Sequence, residues 1–428
     1  MAAGDERVAQ RRHKIEPWLA RVLIISTLST LSMNAVRPMV AYRALDLGAT
    51  PFEIGLIAAS FSILSVGMAL PIGRLVDRFG AGRFEVVAMT IMAVTNLAFI
   101  WSDSLIALAA VYTVMGLGQT INLVSQQTTV ANRGGRAGRD ERFGLYTQAS
   151  SIGQLLGPTL AGALAGGAVF NALGVDPQLS NVQSPVFLMA AACTGTAACI
   201  AIPLARSHGR GSPSRDATTE PPGNFASTAR RVLLRPGMMQ AMLVSIAVVT
   251  SIDVLVAYLP VYGEANGLSV GLVGMLLSIR AGASLISRFL MGHSLRLLGR
   301  QRLLAGGLTL AAAGMLLLAA APASWLLVAA MAMFGLGAGI GQPITIGWVA
   351  DQSPRSERAT AIGLRLMGNR LALLTMPLAM GLIAGAAGVG VTFAAVAAVL
   401  TAGAATAAST PFGAAVRTGD PGAVDMPK

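Results

Sequence analysis

Apolar residues along this chain gather into runs of about 20, each long enough to cross a hydrocarbon core as an α-helix and each closed by a short polar stretch. Twelve such runs begin near Trp18, Phe52, Phe84, Ser104, Phe143, Pro185, Met238, Leu268, Leu303, Ser324, Ala359 and Gly388. The pattern predicts an all-α membrane protein with twelve transmembrane helices. Thr50-Pro51-Phe52-Glu53 offers an N-cap, a proline at the first helical position and an acid at the third, so Glu53 reads as a capping acid. The glycine-rich GLIAGAAGVGVTF must hold the turn before the last helix.

The polar stretches alternate in charge. Arg7, Arg11, Arg12 and Lys14 precede the first span, Arg74, Arg78 and Arg83 follow the second, Arg133 to Arg142 the fourth, Arg296 to Arg302 the eighth, and Arg355 and Arg358 the tenth. The connections between hold mostly acids such as Asp46, Asp103, Asp176 and Glu264. The positive-inside rule then places both termini in the cytoplasm of a multi-pass protein of the bacterial inner membrane. The apolar run after MAAGDERVAQRRHK is too long for a signal-peptide core, so the first span is expected to stay attached. Residues 206–237 are polar, rich in Pro, Gly and Ser, and cationic, and read as a cytoplasmic linker. They divide the chain into an N-terminal six-helix half, 1–205, and a C-terminal one, 238–428.

The halves repeat. An offset of 219 residues carries Gly73, Gly80 and Arg83 onto Gly292, Gly299 and Arg302, and Gly116 and Gly118 onto Gly335 and Gly337. It also carries Gly144, Pro158, Gly162 and Gly166 onto Gly363, Pro377, Gly381 and Gly385. One offset across three pairs of spans marks two parallel six-helix repeats, the architecture of a transporter with its site between them.

Two motifs sharpen this. The loop GRLVDRFGAGR, from Gly73 to Arg83, resembles the signature G-x-x-x-D-R-x-G-R-R of the major facilitator superfamily, with Asp77, Arg78 and Gly80 in place. Span five, GLYTQASSIGQLLGPTLAG, resembles the pattern that this family associates with antiporters, especially drug exporters, through Gly153, Gly157, Pro158 and Gly162. The resemblance implies two pseudo-symmetric halves working by alternating access. Physically, Gly73 and Gly80 are expected to permit a tight hairpin, Asp77 to bond at a helix N-terminus, and the span-five small residues to let two helices approach closely. The arginine that such exporters often carry on span four is Tyr112 here.

Composition removes other classes. The chain is 54% hydrophobic and 12% charged, with a mean hydropathy of +0.66. Its net charge of +12 is carried almost wholly by arginine, Lys14 and Lys428 being the only lysines, which indicates genome composition more than nucleic-acid binding. Cys193 and Cys199 lack metal or redox spacing and read as small core residues, and the three histidines form no cluster. No catalytic, cofactor or metal signature is present, so the chain does not read as an enzyme.

Polar residues inside the spans carry the remaining information. Ser26, Thr30, Asn34 and Arg37 share one face of span one; Gln119, Asn122 and Gln126 one of span four; Thr147, Ser151 and Gln154 one of span five. Arg280, Ser284, Ser287 and Arg288 do so on span eight, and Arg365 and Asn369 on span eleven. Lipid offers such stripes no partner, so they are expected to face protein or water. Arg37 and Arg280 point to a cavity role, Arg288 to snorkelling at a helix end, and Arg370 to helix packing. Asp253 is taken as the only carboxylate well inside a span, the candidate for proton coupling with Arg37 as partner. Tyr258, Tyr262 and Trp348 could supply aromatic walls, although each reads more readily as a packing residue or an interface anchor. With arginine in excess, the expected cargo of this monomeric carrier is a small organic anion or anionic amphiphile, moved outward against a proton or another ion. Uptake of an organic or sugar acid, efflux of neutral or cationic drugs, and a scaffold without transport stand as alternatives.

Overall fold

The computed structural model describes residues 16–133, 139–166, 183–206, 230–320, 324–353 and 358–410, all helix and short connection. The N-terminal half holds α1 (Pro17–Asp46), α2 (Pro51–Phe79), α3 (Ala81–Ala98), α4 (Leu105–Asn132), α5 (Arg139–Ala165) and α6 (Ser184–Arg206). In the C-terminal half, α7 (Met238–Ala265) is followed by one 51-residue stretch, Val270–Ala320, broken at Gly299 into α8 (270–298) and α9 (300–320). The tenth crossing is split into α10 (Ser324–Gly339) and α11 (Gly341–Asp351); α12 (Arg358–Ala387) and α13 (Val389–Ser409) complete the chain. Ten stretches among the described residues are long and apolar enough to cross a membrane, the one broken at Gly299 supplying two crossings. The less apolar α5 makes twelve. Most of the linker expected at 206–237 lies outside the described residues.

Local sequence explains the ends. Thr50 accepts from the Glu53 backbone N–H while the Glu53 carboxylate accepts from the Thr50 backbone, a complete capping box. Gly80 and Gly299, related by the 219-residue offset, turn the chain between helices with φ of 94° and 73°, a region that L side chains rarely enter. Gly73 does not take part in that turn, because α2 continues as helix to Phe79.

The repeat extends to individual contacts. A Cβ on Gly116 would lie 1.9 Å from the Phe61 carbonyl oxygen, and one on Gly335 would lie 2.3 Å from that of Arg280, the residue equivalent to Phe61. Ser65 donates to the Gly116 carbonyl at 3.1 Å as Ser284 does to that of Gly335 at 2.9 Å. Ser284 is therefore a helix-packing residue here, its hydroxyl engaged between α8 and α10. Cys199 departs from expectation: it is exposed on the outer surface of α6, where a small apolar residue meets no packing partner.

The halves meet through α1 with α7, α2 with α12 and α5 with α8. Their closest approach lies at one end, where Gly55 packs on Pro377 and, symmetrically, Gly274 on Pro158, with hypothetical Cβ atoms 2.4 and 2.5 Å from the carbonyl oxygens. Toward the other end of α5 and α12, Gly144 and Gly363 have nothing within 4 Å of such an atom. The tightest glycine contacts between the halves thus lie at the end bearing the α1–α2 and α7–α8 connections, and Gly144 and Gly363 toward the arginine-rich end make none. Gly274→Val should hold the close-packed end apart, since overpacking costs about 1–3 kcal/mol, a shift of roughly tenfold in a two-state population. Its readout is the rate at which a membrane-impermeant maleimide labels Ser278→Cys, a position buried against α5; an unchanged rate would show that close approach at Gly274 is not required.

Candidate gate and substrate site

Arg37 stands where the halves join. From α1, its Nη2 forms an ion pair with the Asp253 carboxylate on α7, its Nε donates to the Tyr112 hydroxyl at 3.3 Å, and its guanidinium sits 5.5 Å from the centre of the Phe61 ring. Tyr112 thus occupies the position of the family's missing arginine and supports an arginine from another helix. A cavity of about 20 Å³, room for about one water, adjoins this junction and is lined by Arg37, Ile54, Ile57, Tyr112 and Val256 among others. One turn beyond Asp253, the fully buried Tyr258 donates to the carbonyls of Pro51 at 3.3 Å and Pro377 at 3.0 Å, tying α7 to α2 and α12. Tyr258 is a tie at the close-packed end rather than a cavity wall. Tyr262, edge-on to Phe393, and the buried Trp348 likewise serve packing.

The arginines separate into two groups. Arg365, 2% exposed, donates to Gln342 at 2.6 Å and Thr345 at 3.1 Å, and Asn369 accepts from Ser245 at 3.1 Å; both are held inside the C-terminal half. Arg288 does not snorkel. It turns inward to donate to the Gly339 carbonyl at 3.1 Å and to Ser151 of α5 at 3.0 Å, because those acceptors replace the water it would otherwise have to reach. Arg280 is different: it is 4% exposed and has no hydrogen-bond acceptor among the described residues, its Nε wholly enclosed. Arg37 and Arg288 lie close enough for their charges to act on it, and the half-buried Arg370 lies within the same reach of Arg37. Arg280 thus lies within reach of the charges of Arg37 and Arg288, and among these arginines of the described residues Arg37 pairs with an acid, Asp253.

The N-terminal half contributes a ladder of amides. Gln126 Nε2 donates to Asn122 Oδ1, and Asn122 Nδ2 to Gln119 Oε1 at 3.3 Å. Gln119 is half-buried and the other two are buried. Asn34 is spent locally, donating to the Thr30 carbonyl at 2.8 Å. At the inner end of the ladder sits Glu85 of α3, accepting from Gln126 at 3.0 Å. Asp253 is therefore not the only acid inside a span. Glu85 escapes sequence reasoning because it follows Arg83 at the start of a run, where an acid reads as part of the loop.

In the motifs, Arg78 is exposed and stacks over Phe79, with the Asp77 side chain outside the described residues. The span-five glycines serve two neighbours. Gly153 and Gly157 lie against the backbone of Thr27 and Leu31 on α1, whereas Pro158 and Gly162 face Gly271 and Gly274 on α8, across the two halves.

Comparison with known proteins agrees with this architecture. The family model described as Major Facilitator Superfamily matches residues 22–272 and 241–419. The chain is 28% identical over 145 residues to the uncharacterized MFS-type transporter MJ1560 of Methanocaldococcus jannaschii, a match spanning 34% of this chain and 38% of that one. It is 25% identical over 333 residues, 74% of each chain, to the uncharacterized MFS-type transporter YdeG of Bacillus subtilis. To the methyl viologen resistance protein SmvA of Salmonella typhimurium it is 27% identical over 153 residues, 34% of this chain and 30% of the relative. Among solved structures, a bacterial homologue of the human lysosomal transporter Spinster, inward-facing and unoccupied, superimposes with a TM-score of 0.71 at 18% identity, covering 91% of this chain and 95% of the other.

Proposed function

The chain belongs to the major facilitator superfamily and is a secondary transporter of the membrane, and we propose that it exports a small organic anion or anionic amphiphile. The observation that carries this reading is Arg280. A buried guanidinium without an acceptor leaves a large desolvation cost unoffset, and a carboxylate or phosphate with two oxygens is the partner its fork geometry fits. Arg37 and Arg288 add positive potential around it. With the arginine-rich end in the cytoplasm, the end where Gly144 and Gly363 meet no neighbour faces inward, and cargo would load from the cell interior. An inside-negative potential then favours outward movement of a monoanion by about 2.3 kcal/mol per 100 mV.

Thermal stabilisation of the detergent-purified protein across organic anions, neutral drugs and cations tests the reading. Anions should raise the midpoint of wild type, and Arg280→Gln should abolish the shift. Similarity to a methyl viologen resistance protein favours a second reading, efflux of cationic compounds, since methyl viologen is a dication. Under that reading cells expressing Arg280→Gln keep their tolerance to methyl viologen, and cations rather than anions stabilise the purified protein.

A further inference from the structure

Glu85 lies one turn into α3, 3% exposed, with one carboxyl oxygen bonded to Gln126 and the other, Oε2, enclosed without any partner. No salt bridge reaches it from a described residue. The charged groups of the surrounding helices lie toward the loops: Arg21 on α1, Arg74 and Arg78 on α2, Arg83 on α3 itself, Arg133 after α4, Arg142 on α5 and Arg206 on α6 are each partly or fully exposed. Among the described residues, the titratable side chain close enough for its charge to interact with Glu85 is Tyr146 of α5. An ionised carboxylate in such a place, with one neutral donor and no cation, is among the costliest arrangements in a protein interior.

The fold does not demand it. The residue equivalent to Glu85 in the other half is Leu304, fully buried, and the equivalents of Gln126, Asn122 and Gln119 are Thr345, Gly341 and Ala338. The C-terminal half builds the corresponding helices with neither the acid nor the ladder. A buried acid that the fold can replace by leucine, joined by consecutive hydrogen bonds to a half-buried amide on the polar face of α4, is placed to pass a change of protonation along that helix.

We propose that Glu85 is a proton-binding site of this carrier, neutral in the present conformation, whose ionisation resets the Gln126–Asn122–Gln119 ladder. Gln126 Nε2 is shared between Glu85 and Asn122. When Glu85 releases its proton to water, the carboxylate turns its bond from one of the two Gln126 amide hydrogens into a charge-assisted one, which is stronger than the neutral bond and draws Gln126 toward α3. The bond to Asn122, made by the other amide hydrogen, lengthens in response, and the change passes along the ladder to the half-buried Gln119. One proton leaves the carboxyl and no other bond changes.

Infrared difference spectroscopy of the substrate-free protein at neutral pH tests this without any assumption about cargo. Wild type minus Glu85→Gln should show the carbonyl stretch of a protonated carboxylic acid that shifts in D2O; Asp253→Asn and Arg280→Gln should both retain it. In the same samples the thermal midpoint of wild type should fall as pH rises above neutral, because the native state binds the proton that the unfolded chain has lost. In Glu85→Gln that slope should flatten. If Glu85→Gln does not fold, the band in wild type, and its displacement in Gln126→Leu, decide the matter. Absence of a protonated carboxyl band in wild type, or its survival in Glu85→Gln, overturns the proposal, and neither outcome bears on whether the cargo is an anion.

Discussion

Arg280→Gln is expected to yield a protein that is more stable than wild type when empty and unresponsive to anions. Its guanidinium is 4% exposed and lacks an acceptor, so neutralising it removes an unoffset buried charge and should add about 1–3 kcal/mol to the stability of the empty state. The same change removes the bidentate donor on which the proposed substrate depends. Gain of stability with loss of ligand response is the opposite of what a structural arginine would give. Denaturation of wild type and variant with and without a panel of carboxylates and organic phosphates reads both effects. A variant less stable than wild type that still responds to anions would place Arg280 in packing and leave the cargo to the cationic reading.

Asp253→Asn should act in the other direction. It leaves Arg37 without its counter-charge at the junction of α1 and α7, where the side chains of Arg37 and Asp253 are 18% and 9% exposed. Removing one partner of a pair so placed costs about 3 kcal/mol, and the close-packed end, which the pair spans, should open in proportion. The paired variant Arg37→Gln with Asp253→Asn removes both charges and should recover most of the loss, a coupling that a double-mutant cycle measures directly. Labelling of Ser278→Cys, buried between the halves, supplies the conformational readout. Equal stability of wild type and Asp253→Asn, or equal losses in the single and paired variants, would show that the ion pair does not hold the gate.

Much of this molecule can be read along the chain because a bilayer imposes strong rules. Spans of about 20 apolar residues, Gly at the turns and a 219-residue repeat locate the helices to within a few residues of where they begin, and the repeat extends to Ser65 and Ser284 or Gly55 and Gly274 making equivalent contacts. Helical periodicity also places Arg37, Gln119, Asn122, Gln126 and Arg280 on inward faces. Periodicity reports which face of a helix is polar and nothing about what that face meets. Ser284 and Arg365 satisfy the same pattern as Arg280, yet they end against the Gly335 carbonyl and against Gln342 and Thr345. Arg288, eight residues from a predicted cavity arginine, finds acceptors inside where a snorkelling side chain needs none.

From residue order alone follow the family, the helical membrane fold and the excess of cationic side chains within it, since each depends on hydropathy, spacing or motif, which are properties of one helix at a time. The pairing of Arg37 with Asp253, the isolation of Arg280 and the burial of Glu85 at the foot of an amide ladder depend on which helices stand side by side. Whether a charge is spent or free is decided by atoms about 3 Å away that come from distant parts of the chain, and only packing in three dimensions chooses those neighbours.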